Sequence, residues 1–309
     1  MAQTIRKVAV IGVGTLGTQI AVQAASYGFE VKAYDQDPGN FRKTFERLRP
    51  LAKPTLPIDD WVKGAAEVVQ CNEMGEALKG ADLAVEAIYE NLEAKRKVFS
   101  EMDAMSPREA ILATNSSSIV ISRIETATAR PEKCVNMHFY VPAGTQGYPI
   151  NIVDVCGGTR TTTETIEACR KWILSVGCIP LTVKKEVLGF TFNSVWRAVK
   201  KRCLELWAEG YVDFRDIDRA WMVFTRMPQG PFGLMDLVGL DVVYDIEMSY
   251  YNESKAMKDY PPKALREMID RKELGRKTGR GFYSYPNPEF AEPGFLGAEG
   301  PSQKTQLGS

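Results

Sequence analysis

The sequence predicts an α/β fold in which a mostly parallel, doubly wound sheet is followed by a smaller all-helical domain. From Lys7 to Val183, short β-branched runs alternate with helix-like stretches, which is the pattern of parallel strands joined by crossover helices. Near Val187 this alternation stops, and apolar residues recur at helical spacing instead. A glycine-rich turn directly after the first strand favours the doubly wound type of sheet.

Seven strands are predicted in the first part of the chain. Several of them are continuous apolar runs, which is typical of strands that helices cover on both faces. The predicted strands are Lys7–Gly12, Glu30–Asp35, Leu83–Ala87, Ala110–Thr114, Cys134–Phe139, Ile150–Val155 and Ile179–Val183. We expect the domain that they form to span residues 1–185.

The second part of the chain has the pattern of helices. Apolar residues at helical spacing cover Phe190–Gly210, and helix-compatible sequence continues through Asp213–Thr225 and Pro231–Asn252. We expect an all-helical domain over residues 186–285 that takes part in substrate binding and dimerisation, although plain core packing accounts for its apolar faces equally well. Residues 286–309 are rich in proline, glycine and polar side chains, which predicts a loosely ordered tail.

The composition is ordinary for a soluble globular protein and has no charge bias. Of the 309 residues 44% are hydrophobic, and 39 basic side chains balance 39 acidic ones, so the net charge gives no reason to expect a nucleic-acid or membrane partner. No apolar run reaches the roughly 18 residues of a membrane span, and the first residues lack the layout of a secretory signal. The six cysteines are scattered, which predicts reduced thiols and no metal site. These features together predict a cytoplasmic protein.

The turn after the first predicted strand has the sequence G-x-G-x-x-G. Gly12 permits a tight turn, Gly14 lets a pyrophosphate approach the backbone, and Gly17 lets the following helix pack closely on the strand. The N-terminus of that helix, with Thr15 and Leu16, offers free N–H groups and a positive dipole end to phosphates. The turn therefore predicts a dinucleotide-binding site.

Asp35 ends the second predicted strand, 18 residues after Gly17. A carboxylate in this place accepts hydrogen bonds from the ribose hydroxyls and repels a 2′-phosphate, so NAD is favoured over NADP. The complete arrangement of strand, turn, helix, strand and acid predicts a Rossmann nucleotide-binding domain with NAD as its cofactor.

Six further segments resemble, in order, motifs of the 3-hydroxyacyl-CoA dehydrogenase family. Val85–Asn91, followed by Lys95, resembles the V-E-A-I-x-E-N motif, and Met137–Tyr140 resembles the start of H-F-F-N-P. The other four are Ala113–Ser118 (N-T-S-S), Gly189–Asn193 (G-F-x-x-N), Gly230–Asp236 and Gly279–Tyr283. The matches cover most of the chain, and together they are far more specific than any one of them alone.

The resemblance implies a homodimeric enzyme of fatty acid metabolism that oxidises the secondary alcohol of a (3S)-3-hydroxyacyl-CoA, or of a related thioester, to the ketone. It implies that His138 is the general base and that Asp154 orients it, in the place of a family glutamate. The chemistry agrees, because an imidazole can take the hydroxyl proton near neutral pH and a carboxylate fixes its tautomer. His138 is the only histidine in the chain. Asp154 at a strand end could instead simply cap a turn.

Five more residues receive roles from the resemblance. Ser117 and Asn193 would hydrogen-bond the reacting oxygen and the surroundings of the histidine. Glu90 and Lys95 would lie near the nicotinamide end of the cofactor, and Asn115 would also bind the cofactor. Plainer interpretations stay open, since serines often form polar turns after strands and charged residues at helical spacing often form a solvated face.

The segment around the predicted base departs from the family pattern. Asp154 follows His138 by sixteen residues instead of the twelve of the family motif, so Val141–Pro149 carries an insertion. Val141 replaces the motif's asparagine. Aspartate is one methylene shorter than glutamate, so its carboxylate extends roughly 1.5 Å less far, whereas the range of hydrogen-bond distances is only about 0.6 Å wide. Either the backbone moves to compensate or the histidine–aspartate pair is looser.

A second departure follows the second predicted strand, where the family has a long helical pair with basic residues that hold CoA. Here Phe41–Leu48 is followed by three prolines in eight residues, which interrupt a helix. The CoA grip is therefore shortened, absent, or rebuilt from Arg42, Lys43, Arg47 and Lys53. Besides a 3-hydroxyacyl-CoA, a carrier-protein thioester, a small non-CoA hydroxy acid and a non-catalytic NAD-binding role stay open.

Overall fold

The computed structural model describes residues 4–51, 57–140 and 152–297. The chain forms two compact units, Met1–Ser194 and Val195–Ser309. Two segments singled out in the sequence, the insertion Val141–Pro149 and the basic residue Lys53, lie outside the described residues. None of the helices within the described ranges is both long and apolar enough to cross a membrane.

The first unit is built on a sheet with eight strands in its described part. They are β1 (Lys7–Ile11), β2 (Glu30–Tyr34), β3 (Val69–Cys71), β4 (Leu83–Glu86), β5 (Ile111–Thr114), β6 (Cys134–Phe139), β7 (Ile152–Gly157) and β8 (Ile179–Val183), in the order β3-β2-β1-β4-β5-β6-β7-β8. All neighbouring strands are parallel except β6 and β7. The mostly parallel doubly wound sheet is therefore confirmed. The sequence prediction missed β3, which is only three residues long and contains no buried apolar run.

Six helices of the first unit cover this sheet. They are α1 (Thr15–Ser26), α2 (Asn40–Leu48), α3 (Ile58–Glu67), α4 (Met74–Leu78), α5 (Leu92–Met105) and α6 (Thr163–Ser175). Alternate residues of β1 belong to two separate cores: Val8 and Val10 pack with α1 and α6, whereas Ile11 packs with Phe99 and Met102 of α5. This two-sided burial is why the strands are continuous apolar runs.

The strand directions determine where a ligand site forms. Parallel strands β1, β4, β5 and β6 all end at the same edge of the sheet, and the antiparallel strand β7 begins there. The crevice beyond the carboxyl ends of such strands is the usual ligand site of an open α/β sheet. Residues that follow each of these strands are therefore brought to one edge.

The second unit is helical. Its helices are α7 (Phe192–Ala208), which begins in the last residues of the first unit, α8 (Phe214–Thr225), α9 (Pro231–Val238), α10 (Leu240–Ser254) and α11 (Lys263–Asp270). The stretch Pro231–Asn252, which the sequence predicts as helix-compatible throughout, is divided between α9 and α10. Gly239 separates them with a φ of +103°, a conformation that a helix does not contain.

Two fully buried aspartates tie the second unit together. Asp218 of α8 accepts hydrogen bonds from the N–H groups of Phe232 and Gly233, at 2.8 and 2.9 Å, in the first turn of α9. Asp236 of α9 accepts from the N–H groups of Phe282 and Tyr283, at 2.9 and 2.8 Å. The last two segments that carry the family resemblance, Gly230–Asp236 and Gly279–Tyr283, are thus parts of one hydrogen-bonded structure, which explains why they occur together.

Part of the chain beyond α11 also packs on this unit. Phe290 lies 4.9 Å from the Tyr283 ring, centroid to centroid, and Phe295 is buried in the same apolar cluster. The composition of residues 286–309 predicts a loosely ordered tail, but two aromatic side chains hold the described part, residues 286–297, on the core.

Candidate active site

The turn between β1 and α1 has the geometry of a phosphate-binding loop. Gly12 has a φ of +92°, and a Cβ atom on it would lie 2.8 Å from the carbonyl oxygen of Ala87. A Cβ on Gly17 would lie 1.9 Å from the carbonyl oxygen of Gly12. A Cβ on Gly14 would meet no atom within 4 Å. Gly12 and Gly17 are therefore required by packing, whereas Gly14 keeps an open space beside the backbone.

The N-terminus of α1 can receive an anion. Gly14 is its N-cap, and no side chain caps the helix or places an acid in its first turn, which lies wholly within the described residues. The first N–H groups of a helix have no partner inside it, and they carry the positive end of its dipole. Arg47 of α2 adds a cation, since its Nη2 donates to Thr15 Oγ1 at 2.8 Å. A pyrophosphate fits this arrangement.

Asp35 is fixed beside this turn, directly after β2. Its Oδ2 accepts from the N–H of Val13 at 2.8 Å and from Asn40 Nδ2 at 3.0 Å, while its Oδ1 accepts from the N–H of Asp37 at 3.0 Å. A carboxylate offers about four acceptor positions, so one stays available for a ribose hydroxyl. Gly12, Gly14 and Asp35 line a cavity of about 750 Å³. The residues present therefore fit a dinucleotide with a free ribose 2′-hydroxyl.

A second cavity, of about 360 Å³, lies at the same edge of the sheet. It brings together seven of the residues singled out in the sequence, from five separate segments of the chain. These are Leu16, Glu90, Lys95, Asn115, Ser117, His138 and Asn193. Asn115 also fixes the wall, because its Oδ1 accepts from the N–H of Phe139 at 2.9 Å. Asn193 reaches the cavity from the first turn of α7.

His138 and Asp154 are direct partners in the antiparallel pair of β6 and β7. His138 Nδ1 lies 3.4 Å from Asp154 Oδ2, and both side chains are buried. Burial raises the pKa of Asp154, but the hydrogen bonds from His138, Thr191 and Tyr140 outweigh this effect and bring the pKa below its ordinary value. The carboxylate is therefore ionised near neutral pH. The 3.4 Å separation is longer than the usual 2.7–2.9 Å of a charge-assisted bond, as the shorter side chain of aspartate predicts.

The sequence prediction missed a buried ion pair behind the cavity. Glu86, the last residue of β4, lies 2.7 Å from Lys95 Nζ, and neither side chain is exposed to solvent. Glu86 also accepts from Thr114 Oγ1 and from the N–H of Ile88, both at 2.7 Å. An acid inside an apolar strand was the available signal, because a buried charge requires a partner.

Glu90 joins this ion pair to the serine segment after β5. Its Oε2 lies 3.3 Å from Lys95 Nζ, and its Oε1 accepts from the hydroxyl groups of Ser116 and Ser118. Burial raises the pKa of Glu90, but Lys95 and the two hydroxyls lower it by more, so the group is held as a carboxylate. Two of the three serines are occupied in this way. Ser117 between them is exposed on the cavity wall.

Two of the basic residues proposed for a CoA grip have partners near the α1 turn. Lys43 Nζ lies 2.9 Å from an oxygen of Asp37 at the surface, and Arg47 contacts Thr15 as described above. Arg47 is exposed on α2. Three of the four basic residues thus lie in the described part of the chain, and Arg47 contacts the first residue of α1.

Two family models match the chain in succession. The NAD binding domain of 3-hydroxyacyl-CoA dehydrogenase matches residues 7–187, and the C-terminal domain of 3-hydroxyacyl-CoA dehydrogenase matches residues 189–285. The chain belongs to the 3-hydroxyacyl-CoA dehydrogenase family. It is an NAD-dependent oxidoreductase, and the prediction of NAD as the cofactor is confirmed. The family resemblance found from the short motifs is confirmed as well.

Relatives within the 3-hydroxyacyl-CoA dehydrogenase family differ in what they act on. The chain is 33% identical over 283 residues to 3-hydroxybutyryl-CoA dehydrogenase of Clostridioides difficile, which covers 90% of this chain and 99% of the relative. It is 30% identical over 290 residues, 91% of each chain, to 5-formyl-3-hydroxy-2-methylpyridine 4-carboxylate 5-dehydrogenase of Mesorhizobium japonicum. A solved diketoreductase that acts on dicarbonyl compounds matches with a TM-score of 0.81 and 31% identity, over 92% of this chain and 100% of that one.

Proposed function

We propose that this chain oxidises the secondary alcohol of a (3S)-3-hydroxyacyl-CoA, or of a related thioester, to the 3-ketoacyl form, with His138 as general base. The observation that carries the proposal is the pairing of His138 with a buried, ionised aspartate on the wall of a cavity that also presents Ser117 and Asn193. A base, an orienting carboxylate and two polar groups are the set that alcohol oxidation requires. Relatives named as 3-hydroxybutyryl-CoA dehydrogenases support the thioester.

In this proposal each side chain has a defined task. The Nδ1–H of His138 faces Asp154, so its other ring nitrogen is the acceptor for the proton of the substrate hydroxyl. Asp154 stabilises the imidazolium that forms. Ser117 and Asn193 hydrogen-bond the substrate oxygen as it changes from hydroxyl to carbonyl and keep it within reach of the imidazole. Bound NAD supplies the acceptor for the hydride that leaves the same carbon.

We assign the holding of NAD to two groups of residues. Gly12, Gly14, Thr15, Leu16 and Gly17 would receive the pyrophosphate, and Asp35 would accept a ribose hydroxyl. Glu90, Lys95 and Asn115 would shape the nicotinamide end, with the two charged residues held by the buried network behind them. The fit of this assignment depends on the open space at Gly14 and on the free acceptor position of Asp35.

A second candidate keeps the chemistry and replaces the thioester by a small hydroxy acid or dicarbonyl compound without CoA. The relatives that act on a pyridine carboxylate and on dicarbonyl compounds favour it.

The first experiment compares both classes of substrate. The purified chain is mixed with NADH and either acetoacetyl-CoA or acetoacetate, and the nicotinamide absorbance is followed; the matched hydroxy compounds with NAD test the reverse direction. Turnover of the thioester with little turnover of the free acid supports the first candidate, and the opposite result supports the second. Binding of NAD without turnover of any substrate in a wider panel would contradict both and leave a non-catalytic role.

We further propose a cytoplasmic homodimer of fatty acid metabolism, in which the helical domain of residues 186–285 takes part in dimerisation. The C-terminal end of α8 and the residues directly after it support this, since Val223, Phe224 and Met227 are exposed and Phe224 is 92% exposed. Exposed apolar side chains at neighbouring positions favour association. Light scattering should give twice the mass of the chain for the wild type and a smaller mass for Phe224→Glu.

A further inference from the structure

Tyr140, two positions after His138, is hydrogen-bonded to Asp154, the carboxylate that His138 also faces. Tyr140 stands where the H-F-F-N-P motif has its second phenylalanine, and its hydroxyl donates to Asp154 Oδ2. His138 Nδ1 faces that same oxygen. We propose that Tyr140 is a positioning residue that compensates for the short Asp154 side chain, so that tyrosine and aspartate together replace phenylalanine and glutamate. This inference rests on the proposed role of His138 as the base.

The strand geometry brings these three side chains together. His138 and Tyr140 are two positions apart and so project from the same face of the chain. Their rings lie 4.3 Å apart, centroid to centroid, at 63°. Asp154 comes from β7, directly opposite His138. Register therefore places the phenol hydroxyl and the imidazole at the same carboxylate oxygen, Asp154 Oδ2.

Asp154 depends on the phenol because its other contacts are long. Besides Tyr140, the donors to Oδ2 are His138 Nδ1 at 3.4 Å and the N–H of Thr191 at 3.5 Å. Oδ1 has no hydrogen-bond partner among the described residues. A buried carboxylate is strongly destabilised when donors are missing. Without the phenol hydroxyl, no other short hydrogen bond within the described ranges holds the carboxylate in its orientation toward the imidazole.

The hydroxyl also connects the histidine to the helix that carries Asn193. The N–H of Phe192, at the start of α7, donates to the Tyr140 hydroxyl at 3.0 Å. The phenol thus accepts from the residue before Asn193 while it donates to Asp154. Burial, together with this donation to a carboxylate, raises the pKa of Tyr140, so the phenol remains a donor over the working pH range.

The other charged groups at the cavity do not replace the hydrogen bond from Tyr140 to Asp154. Glu90 and Lys95 face the same cavity from the segment after β4, but they are bonded to each other, to Glu86 and to serine hydroxyls. Among the described residues, the carboxylate bonded to the His138 ring is Asp154. A donor to that carboxylate therefore acts directly on the group that orients the imidazole.

The test uses Tyr140→Phe, Asp154→Glu and the double variant, with Tyr27→Phe as a control for loss of a half-buried phenol far from the dyad. We expect Tyr140→Phe to lower kcat about ten- to thirtyfold and to leave the KM for NAD unchanged. Asp154→Glu should lose at least as much, because the longer carboxylate meets the phenol hydroxyl. The double variant should return to within about threefold of the wild type, since the pair is then phenylalanine and glutamate.

A second readout needs no substrate. His138 is the only histidine, so nuclear magnetic resonance of histidine-labelled protein follows one imidazole in the full chain. We expect the imidazole chemical shifts at one fixed pH to change in Tyr140→Phe, because the carboxylate that faces the ring has lost a donor, and to stay unchanged in Tyr27→Phe. Imidazole shifts that do not change in Tyr140→Phe would overturn the proposal even if turnover of every substrate fails. Where turnover is measured, losses that simply add in the double variant would overturn it as well.

Discussion

Lys95 and Glu86 form an ion pair of 2.7 Å in which both side chains are almost completely excluded from solvent. The pair connects the first turn of α5 to the last residue of β4, directly behind the candidate cavity. Lys95 also lies 3.3 Å from Glu90, so one ammonium group is shared by two carboxylates. This arrangement holds Lys95 and Glu90 in place on the cavity wall. We expect removal of the shared ammonium group to lower the free energy of unfolding by a large amount.

Replacement of Lys95 by alanine leaves Glu86 buried without its cation. We expect the free energy of unfolding to fall by about 3–5 kcal/mol, the usual cost of removing one member of a buried pair. Lys97→Ala is the matched control, since Lys97 is 78% exposed and lies 4.0 Å from Glu101; it should cost less than about 0.5 kcal/mol. Urea denaturation measures both, and equal effects would show that the buried pair has no special role.

His138→Ala should remove turnover and leave the nucleotide site intact. We expect kcat to fall about a hundredfold to ten-thousandfold, the range for loss of a general base. The dissociation constant for NAD, measured by calorimetry, should stay within about twofold, because the residues that receive the pyrophosphate lie after β1. A variant with normal kcat would show that another group takes the proton.

Alanine substitutions at two glycines of the β1–α1 turn should impair different properties, one the stability of the protein and the other its binding of NAD. Gly17→Ala forces a methyl group to within 1.9 Å of the Gly12 carbonyl oxygen, so we expect a loss of about 3 kcal/mol of stability. Gly14→Ala meets no protein atom within 4 Å and should fold normally, but its methyl group would enter the space that we assign to the pyrophosphate. We expect it to weaken NAD binding at least about tenfold. Thermal unfolding and calorimetry separate the two effects, and normal NAD affinity in Gly14→Ala would contradict the assigned site.

The two buried aspartates of the helical unit predict a pH dependence of stability. Burial raises the pKa of Asp218 and of Asp236 from 3.8 to about 6 in spite of their hydrogen bonds. Because the folded pKa is raised, this contribution to stability is complete below pH 3.8 and is lost as the pH rises to about 6. Each carboxyl accounts for up to about 3 kcal/mol over that interval.

Asp236→Asn isolates this effect, since asparagine does not titrate. The stability of the wild type minus that of the variant, from urea denaturation at several pH values, should decrease between pH 4 and pH 6.5 and then level off. Asp245→Asn, at an exposed position of α10, serves as the control. A difference that stays constant or grows with pH would show that the hydrogen bonds to Asp236 outweigh its burial.

Much of the fold could be predicted from local patterns. The strand Cys134–Phe139 was located to the residue, because an apolar run between turns is visible in the sequence. The helix Phe190–Gly210 was located to within two residues at each end, because its apolar side chains repeat at helical spacing. The break at Gly239 was missed, since a glycine inside a helical pattern is often tolerated and its φ depends on the packing of its neighbours.

In the candidate site, too, some residues could be predicted from the sequence and others could not. His138 was identifiable because it is the only histidine in the chain, and Gly12 because a dinucleotide turn requires its position. The bond between Tyr140 and Asp154 was not identifiable, because a tyrosine in place of a phenylalanine in an apolar strand suggests only core packing. Its hydroxyl found a partner fourteen residues away through the register of two antiparallel strands.

By itself the sequence determined seven of the eight strands in the described part of the sheet, the glycine turn with its carboxylate after the second predicted strand, and the identity of the candidate base. These features depend on side-chain period and on the backbone angles of single residues, which neighbouring residues specify. The tertiary structure alone decided that Asp154, sixteen positions after His138, lies opposite it, and that Glu86, Lys95 and Glu90 form one buried network. The contact between His138 and Asp154 depends on the register of two strands. The buried network forms because every buried charge requires a partner. Residues that are distant in sequence meet these conditions only when the chain is folded.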